Sequence, residues 1–420
     1  MNFIIRGDIA YSIDKDTIIT KKNHYLVVQN GLIQAISETK PELNYEFYDY
    51  PGKLIIPGMI DLHVHAPQYS FRGLWMDMEL LDWLNFHTFP EEAKYKNLDY
   101  ANQAYDIFVN DIKNSATTRA VIFSTIHKDA SLLLMDKLEK SGLKTYVGKV
   151  NMDRNSPDIL RETDYKSSIS DTKLWLEKCH DYNNTKPIIT PRFIPSCTDE
   201  LMRELGNLVI ENKIALQSHL SENKGEIEWV KELCPWSKNY SDAYDKFGTF
   251  GKYSKTIMAH CVWCDDAEVE LIKNRGVFIA HCPTSNSNLA SGIAPIKKYL
   301  NNNMRVGLGS DVAGGTDKSI VKLVPFTIQM SKLYWRLVDQ DIPPITFEEA
   351  FYMATKGGGE FFGNVGSFEK GFEADILILD EDNLPTTMNN LEIIERLERF
   401  FYLTDDRDVL HKFVSGKQIF

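Results

Sequence analysis

Hydrophobic and polar positions divide the chain into two terminal regions and a middle. At both ends, short apolar segments alternate with polar residues and are interrupted by Asn-Gly or Gly, as in "NFIIRGDIAYS" and "GFEADILILD". A period of two residues, broken by turn residues, is typical of strands joined by hairpins. We therefore expect residues 1–56 and 366–420 to form one small β-sandwich domain built from both termini.

Between residues 57 and 365 the pattern changes to apolar strand-like runs separated by helical stretches such as "DELMRELGNLVIENK". Eight strand candidates follow one another: "IIPGMIDLHVH", "TTRAVIFST", "KTYVGKVNM", "PIITPRF", "IALQSHL", "TIMAHCV", "GVFIAHC" and "RVGLGSD". Eight β-then-α units over about 300 residues are typical of a (β/α)8 TIM-like barrel. A doubly wound α/β sheet is the alternative, but its G-x-G-x-x-G fingerprint after the first strand is absent. The glycines of "KGGGE" (356–360) have no phosphate-loop context, and we predict a turn between helices there.

Composition and charge exclude several classes of protein. The 420 residues carry 47 basic and 59 acidic side chains, a net charge of −12, which argues against a nucleic-acid-binding surface. No apolar run approaches the length that a bilayer requires, and the N-terminus lacks the plan of a signal peptide. The six cysteines are scattered, as expected for reduced thiols rather than a disulfide framework. We expect a cytoplasmic location and no membrane partner.

Histidines cluster at the predicted carboxyl ends of the barrel strands. Five of the ten histidines lie there, together with three other polar residues and one aromatic residue: His63 and His65 (first strand), Arg192 and Phe193 (fourth), His219 with Glu222 (fifth), His260 (sixth), His281 (seventh) and Asp311 (eighth). Active sites of such barrels are built at the carboxyl face, so these side chains are expected to meet.

Four of these residues have the chemistry of metal ligands. His63 and His65 point to the same side of a strand because side chains alternate, and each offers an imidazole nitrogen. With His219 and the carboxylate of Asp311 they form a set that suits Zn²⁺ or Fe²⁺ and leaves a position for water. Such an ion lowers the pKa of bound water from ~15.7 to about 7, so a metal-bound hydroxide is expected as the nucleophile.

Glu222, His260 and Asp311 are the candidate catalytic residues. Glu222 follows the His219 ligand closely and is suited to carry a proton from water to a substrate nitrogen. His260 can polarise the water or stabilise a developing oxyanion, and Asp311 can orient the water. Alternatives remain: Glu222 as a first-turn helix carboxylate and Asp311 as a turn former. For His281 a structural role is favoured.

Several motifs resemble one family. The pattern of His63-Val64-His65, His219, His260 and Asp311 resembles the amidohydrolase superfamily. Finer motifs resemble its guanine deaminase family: "HAPQYSFRG" (65–73), "LLDWLNFHTFPEE" (80–92), "GKVNMD" (148–153), "PRF" (191–193), "SHLSE" (218–222) and "GSDVAGG" (309–315).

The resemblance implies hydrolysis of guanine to xanthine and ammonia by a zinc-dependent homodimer. It implies that Gln68 and Arg192 contact the purine base and that Phe193 packs on its ring, with His65 and Glu222 also bordering the substrate. Arginine offers fixed donors to acceptors such as O6 and N7, and glutamine can pair with a mixed edge. Such a site should reject adenine, which has an amine where guanine has a carbonyl.

Two further expectations concern the number of ions and the substrate. Related barrels that hold two metals bridge them with a carboxylated lysine at the fourth strand, where this chain has Arg192; Lys149 falls on the third strand. We therefore predict a single Zn²⁺, with Fe²⁺ as an alternative. Arg72 and Trp75 either border the site or belong to a solvated loop.

The alternative functions are a related deaminase or chlorohydrolase acting on a pterin, oxidised purine, triazine or adenosine derivative. A metal-free binding protein that retains the barrel is a further alternative, from a different class.

Overall fold

A computed structural model describes all 420 residues of the chain. Its strands are β1 (Phe3–Asp14), β2 (Thr17–Gln29), β3 (Leu32–Ser37), β4 (Glu46–Pro57), β5 (Met59–His65), β6 (Thr117–Phe123), β7 (Lys144–Gly148), β8 (Val150–Asn151), β9 (Thr185–Pro187), β10 (Thr190–Pro191), β11 (Leu216–Leu220), β12 (Thr256–His260), β13 (Phe278–His281), β14 (Arg305–Leu308), β15 (Ile376–Leu379), β16 (Val409–Val414) and β17 (Lys417–Gln418).

The α-helices lie mainly between the strands of the middle region. They are α1 (Leu80–Trp83), α2 (Phe89–Ala93), α3 (Leu98–Lys113), α4 (Lys128–Ser141), α5 (Tyr165–Lys178), α6 (Asp199–Asn212), α7 (Lys224–Leu233), α8 (Tyr240–Lys246), α9 (Asp266–Arg275), α10 (Pro283–Asn288), α11 (Ile296–Asn301), α12 (Ile320–Leu337), α13 (Phe347–Tyr352) and α14 (Ile393–Leu403). A 3₁₀ helix spans Ala66–Phe71. No helix is both long and apolar enough to cross a membrane.

Strands from both termini form one flanking sheet, as the sequence predicts. Its order is β17-β16-β15-β4-β1-β2-β3, with β4 pairing antiparallel to β15 and parallel to β1. The strands follow one another in a single hydrogen-bonded order around a core of their own. Alternation explains its position: Ile55 and Ile378 pack in the core of this sheet, whereas Ile56 and Leu377 join the core of the barrel.

The middle region forms the predicted (β/α)8 barrel. Two parallel four-stranded ladders, β5-β6-β7-β9 and β11-β12-β13-β14, supply its wall, and the fourth strand position is shared by the short β9 and β10. Backbone hydrogen bonds from Ile189 N to Ala215 O (2.9 Å) and from Gln217 N to Ile189 O (3.0 Å) join the ladders. The barrel closes where Asp311 N donates to His63 O (2.8 Å) and His65 N donates to Val312 O (3.0 Å). This closure sets the ends of the first and eighth strands side by side.

Helix α9 illustrates how the sequence defines an outer helix. Asp265 and Glu268 form a capping box at its start, which satisfies two backbone N–H groups that the helix leaves unpaired. Gly276 ends it in a left-handed conformation (φ 63°), which costs a glycine nothing sterically. The helix follows β12, so its start lies at the carboxyl face of the barrel.

The prediction of a turn at "KGGGE" is wrong. Gly357 ends a π-helical turn (Met353–Gly357) that continues α13, and Gly358 and Gly359 prolong the helix. A Cβ at Gly307 would lie 2.8 Å from Gly358 Cα, and one at Gly358 would lie 3.1 Å from Ile60 Cβ. Glycine is therefore required for close approach of this helix to β5 and β14, not for chain reversal.

Buried ionic contacts attach the terminal sheet to the barrel. Arg119 of β6 donates to Asp375 (Nε to Oδ2, 2.7 Å) and to Glu373 (2.7 Å), just before β15. The Lys412 ammonium of β16 donates to the carbonyls of Ile112, Ser115 and Thr117 (2.7–3.2 Å). Burial lowers the pKa of Lys412 because it penalises the charged form, whereas the three carbonyls stabilise the side chain by accepting its hydrogen bonds.

Candidate active site

A cavity opens at the carboxyl ends of the barrel strands. Eight residues proposed from sequence line it: His65, Gln68, Arg192, Phe193, His219, Glu222, His260 and Asp311. The other lining residues are Leu80, Trp83, Leu84, Glu226 and Leu289. His63 is fully buried beneath His65, with its ring centroid 4.9 Å away. The structure thus brings the whole predicted set to one place.

Four side chains converge in the manner expected of metal ligands. Asp311 Oδ1 lies 3.0 Å from His63 Nε2 and 3.3 Å from His65 Nε2. The Nε2 atom of His65 lies 3.2 Å from that of His63 and 3.3 Å from that of His219. A second group, His63 with His219 and His260, also has its ligand atoms within 4.8 Å of one another.

The protonation of these imidazoles fits a bound cation. His219 Nδ1 lies 2.6 Å from Arg192 O, so this nitrogen carries the proton and Nε2 faces the cluster with its lone pair. Burial is the largest cause that lowers the pKa of His65 and of His219 well below the usual range, so both rings are neutral. Burial alone would raise the pKa of Asp311, but its contacts with the neighbouring imidazoles lower this pKa by more. Asp311 is therefore a carboxylate. Neutral nitrogens and a carboxylate that point at each other are a suitable donor set for one divalent ion.

Asp61 supports this cluster from inside the barrel. It lies on the same side of β5 as His63, two residues earlier, and is fully buried. Its Oδ1 accepts from His63 N (3.1 Å) and Ser310 N (3.0 Å), and its Oδ2 accepts from Ser310 Oγ (2.6 Å). Burial raises its pKa to about 6. One carboxylate therefore ties β5 to the residue that precedes Asp311.

Glu222 is buried between the cluster and the loops above it. Its Oε2 lies 3.4 Å from His260 Nε2, and its Oε1 accepts from Ser291 Oγ (3.1 Å). Burial and then the charge of Asp311 raise its pKa. A carboxyl group with a raised pKa can both take up and release a proton near neutral pH.

His260 presents a defined face to the cavity. Its Nδ1 lies 2.8 Å from Asn286 Oδ1, so Asn286 accepts the proton of Nδ1 and Nε2 is left without one in the neutral ring. That Nε2 lies 3.7 Å from Asp311 Oδ2 and has no hydrogen-bond partner. Burial lowers the pKa of His260, which keeps the ring neutral.

Gln68 and Arg192 form the polar wall and share one buried carboxylate. Gln68 Nε2 donates to Glu92 Oε1 (2.8 Å), and Arg192 Nη1 donates to Glu92 Oε2 (2.7 Å). Gln68 Oε1 accepts from Ala313 N (3.2 Å). The Arg192 guanidinium also lies over the Phe89 ring, 4.9 Å from its centroid. The remaining N–H groups of Arg192 are free to bind a ligand.

The opposite walls are apolar. Phe193 lines the cavity and packs edge-on against Trp229 (centroids 6.2 Å apart). Leu80, Trp83 and Leu84 come from the segment between the first two barrel strands, and Leu289 follows α10. The indole N–H of Trp83 is buried without a partner. Flat apolar walls with a few polar groups suit a planar heterocycle.

Some candidates lie outside the cavity. Arg72 pairs with Asp111 (3.2 Å), and Trp75 stacks on His87 with ring centroids 4.1 Å apart; neither lines the site. Lys149 is buried, and its ammonium donates to Glu162 Oε1 at 2.5 Å. His281 is buried behind His260, and its pKa is lowered to about 3 by burial.

Sequence reasoning missed Glu92, Asp61, Glu226, Asn286 and Ser291. Asp61 had a signal, a carboxylate inside an otherwise apolar strand two residues before His63. Glu92 stands in "FPEE", where two neighbouring glutamates look like a solvated helix start. Nothing local separates Glu92, which binds Gln68 and Arg192, from Glu91, which pairs with Lys94.

Comparison with known proteins agrees with this geometry. Residues 54–419 match the model of the amidohydrolase family. A guanine deaminase from Dictyostelium discoideum is 42% identical over 88% of this chain and 83% of its own length. The human guanine deaminase is 37% identical over 99% of this chain and 96% of its own.

Solved structures give the same result at the level of the fold. The crystal structure of a guanine deaminase from C. acetobutylicum, which has guanine bound in its active site, superposes with a TM-score of 0.97. The two chains are 46% identical, and the match covers 100% of each.

Proposed function

The chain belongs to the guanine deaminase family of the amidohydrolases, and from this premise we propose that it hydrolyses guanine to xanthine and ammonia. The observation that supports this proposal most directly is that one cavity is lined both by residues suited to the hydrolysis and by residues suited to binding the base. Glu222, with a raised pKa, lies in it next to the His/Asp cluster, and Gln68 and Arg192 form its polar wall.

The proposed cofactor is a single divalent ion, zinc or iron(II), held by His63, His65, His219 and Asp311. When bound, it acts as a Lewis acid that makes water a nucleophile near neutral pH. The contact of Lys149 with Glu162 supports a single ion, because that amine is already engaged elsewhere.

Glu222 carries the protons of the reaction. Water adds across the C2–N3 double bond of guanine: its oxygen bonds to C2, and Glu222 takes its proton and delivers it to N3. C2 becomes tetrahedral. The remaining hydroxyl proton then passes to the 2-amino group, the C–N bond breaks, and ammonia leaves as the C2 carbonyl of xanthine forms. His260 and Asp311 flank Glu222 and orient the water.

The polar and apolar walls bind and orient the base. The free N–H groups of Arg192 donate to O6 and N7, Gln68 contacts the polar edge, and Phe193 packs on the ring. His65 borders the substrate from the cluster side. Adenine presents an amine in place of O6 and would leave buried donors unpaired, so the site should reject it.

The test is ammonia release from guanine by the purified protein, with xanthine followed by absorbance. Adenine, cytosine and a pterin are assayed in parallel, with and without a chelator. We expect guanine turnover that the chelator abolishes and that added zinc or iron(II) restores. Turnover of the pterin with no turnover of guanine would keep the hydrolytic site and overturn the substrate.

The family also suggests a cytoplasmic homodimer. Light scattering coupled to size-exclusion chromatography should give twice the chain mass of 48.2 kDa, and a monomer of full activity would contradict this part of the proposal.

A further inference from the structure

Glu92 joins the two polar residues that face the base, although it does not line the cavity itself. It lies on α2 and is 1% exposed. Gln68 reaches it from the 3₁₀ helix after the first barrel strand, and Arg192 from the end of the fourth. Each oxygen of the carboxylate accepts one hydrogen bond, 2.8 Å from Gln68 and 2.7 Å from Arg192.

These contacts determine the orientation of the Gln68 amide, that is, the directions in which its NH₂ group and its carbonyl oxygen point. A carboxylate only accepts hydrogen bonds, so Gln68 must turn its NH₂ group toward Glu92. At the other end, the Ala313 N–H can only donate, so it requires the carbonyl oxygen of Gln68 (3.2 Å). A flipped amide would set oxygen against carboxylate and NH₂ against N–H. Both mismatches would occur in a buried site, where they are costly.

Arg192 is held in the same way from the same helix. Its Nη1 donates to Glu92, and its guanidinium plane lies over Phe89, three residues before Glu92 on α2. The side-chain torsions of an unpaired arginine would be free, whereas this one presents its remaining donors in one direction. Helix α2 therefore orients both Gln68 and Arg192, through the side chains of Glu92 and Phe89.

We propose, on the basis of the proposed function, that Glu92 is a positioning residue that sets the donor and acceptor polarity of base recognition. It commits Gln68 and Arg192 to offering donors toward the oxygen at position 6. Discrimination against a base with an amine at that position then depends on a carboxylate that does not touch the base.

The probe for this proposal is 2,6-diaminopurine. It carries the same 2-amino leaving group as guanine but has an amine at C6 and an acceptor at N1 in place of a donor. The ratio of the two kcat/KM values therefore reports how the site reads the donors and acceptors of this edge of the base. In E92Q the new amide can donate as well as accept, so only the Ala313 N–H still specifies the orientation of the Gln68 amide. We expect kcat/KM for guanine to fall 10- to 100-fold, mostly through KM, and the guanine preference to fall at least 10-fold.

E91Q is the matched control. Glu91 is the adjacent buried glutamate of α2, but its carboxylate accepts from Tyr100 and Lys94 instead. The same substitution there should leave both kcat/KM values and their ratio unchanged. A second variant, E92D, keeps the negative charge beside Arg192 but is too short to reach both donors, so it should also lower the ratio.

The outcomes separate this proposal from the proposed function. Wild-type protein that does not deaminate guanine contradicts the function itself. Wild-type turnover together with an unchanged ratio in E92Q and E92D overturns the positioning role and leaves the function intact. If neither Glu92 variant folds, as judged by circular dichroism melting, the ion pair is purely structural and the proposal is also overturned.

Discussion

Glu222 owes its proposed role to where it is buried. Burial and the neighbouring charge of Asp311 favour its protonated form, whereas Ser291 and His260 contact its two oxygens and hold the group in place. Neither contact could be foreseen from "SHLSE" alone, because Ser291 comes from a segment 69 residues further along the chain.

Replacing Glu222 by Gln should separate chemistry from binding. The amide has nearly the same shape but cannot accept and deliver a proton, so kcat should fall by at least about 10³-fold. Metal content, measured by mass spectrometry, and guanine affinity, measured by calorimetry, should change little. E228Q, on the exposed face of α7, is the control and should behave as wild type. Near-normal turnover in E222Q would exclude the proton-transfer role.

The candidate site could be predicted from sequence where its residues follow strands. His63, His65, His219, His260 and Asp311 each come directly at or after an apolar run, and the barrel rule places such positions together. The partners that orient them could not be predicted. Asn286 and Glu92 lie on short helices inside connecting segments, and their contacts depend on how those segments fold over the barrel.

Just after β14, Gly309 brings the chain close to the first barrel strand. A Cβ at Gly309 would lie 2.9 Å from His63 Cβ, too short for a real contact, and 3.0 Å from Cys282 Sγ, which is very tight. The two strands can therefore bring Asp311 to the histidines only because position 309 has no side chain. The apolar pattern of "RVGLGSD" predicts the strand, but not this requirement.

G309A should therefore disturb the site without unfolding the barrel. The methyl group must push β14 away from β5 by several tenths of an ångström, which moves Asp311 relative to His63. We expect weaker metal retention on dialysis and a fall in kcat/KM of about 10²-fold. G225A on α7 is the control, because its nearest contact there would be 3.2 Å from Asn223 Oδ1. Unchanged metal retention in G309A would contradict the argument.

At the scale of the whole molecule, strands that the local sequence pattern predicts are paired with strands far away in the sequence. Strand alternation predicts that both termini contribute to a β domain. Sequence patterns do not predict that β1 pairs in parallel with β4, or that the sheet is continuous from β17 to β3, because pairing partners far apart in sequence have no local signal. Arg119, Glu373 and Asp375, which connect this sheet to β6, are likewise separated by more than 250 residues.

Arg119 tests how strongly the terminal sheet is attached. Asp375 is fully buried, so R119M would leave its charge without a cation and should lower the free energy of unfolding by about 3–5 kcal/mol. Urea unfolding followed by circular dichroism measures this loss. R407M, which removes an exposed arginine paired with Asp405, should change stability by less than about 0.5 kcal/mol. Equal losses of unfolding free energy in the two variants would mean that the buried ion pair contributes no more to stability than the exposed one.

Acid stability depends on histidines that the fold keeps neutral. The pKa of His281 is lowered to about 3 by burial, whereas in an unfolded chain it is about 6.5. The unfolded state therefore binds the proton more readily, and the stability that this histidine contributes above pH 6.5 is lost as the pH falls toward 3. From these two pKa values the loss at pH 5 amounts to about 2 kcal/mol.

H281Q should reduce the loss of unfolding free energy that occurs as the pH falls. Glutamine does not titrate, so the difference in unfolding free energy between pH 7 and pH 5 should shrink by about 2 kcal/mol, whatever the absolute stability of the variant. Urea unfolding of chelator-treated protein at both pH values measures the difference without metal release. If the difference in unfolding free energy between pH 7 and pH 5 is unchanged in H281Q, His281 is not held neutral by burial. Other groups then cause the loss of stability in acid.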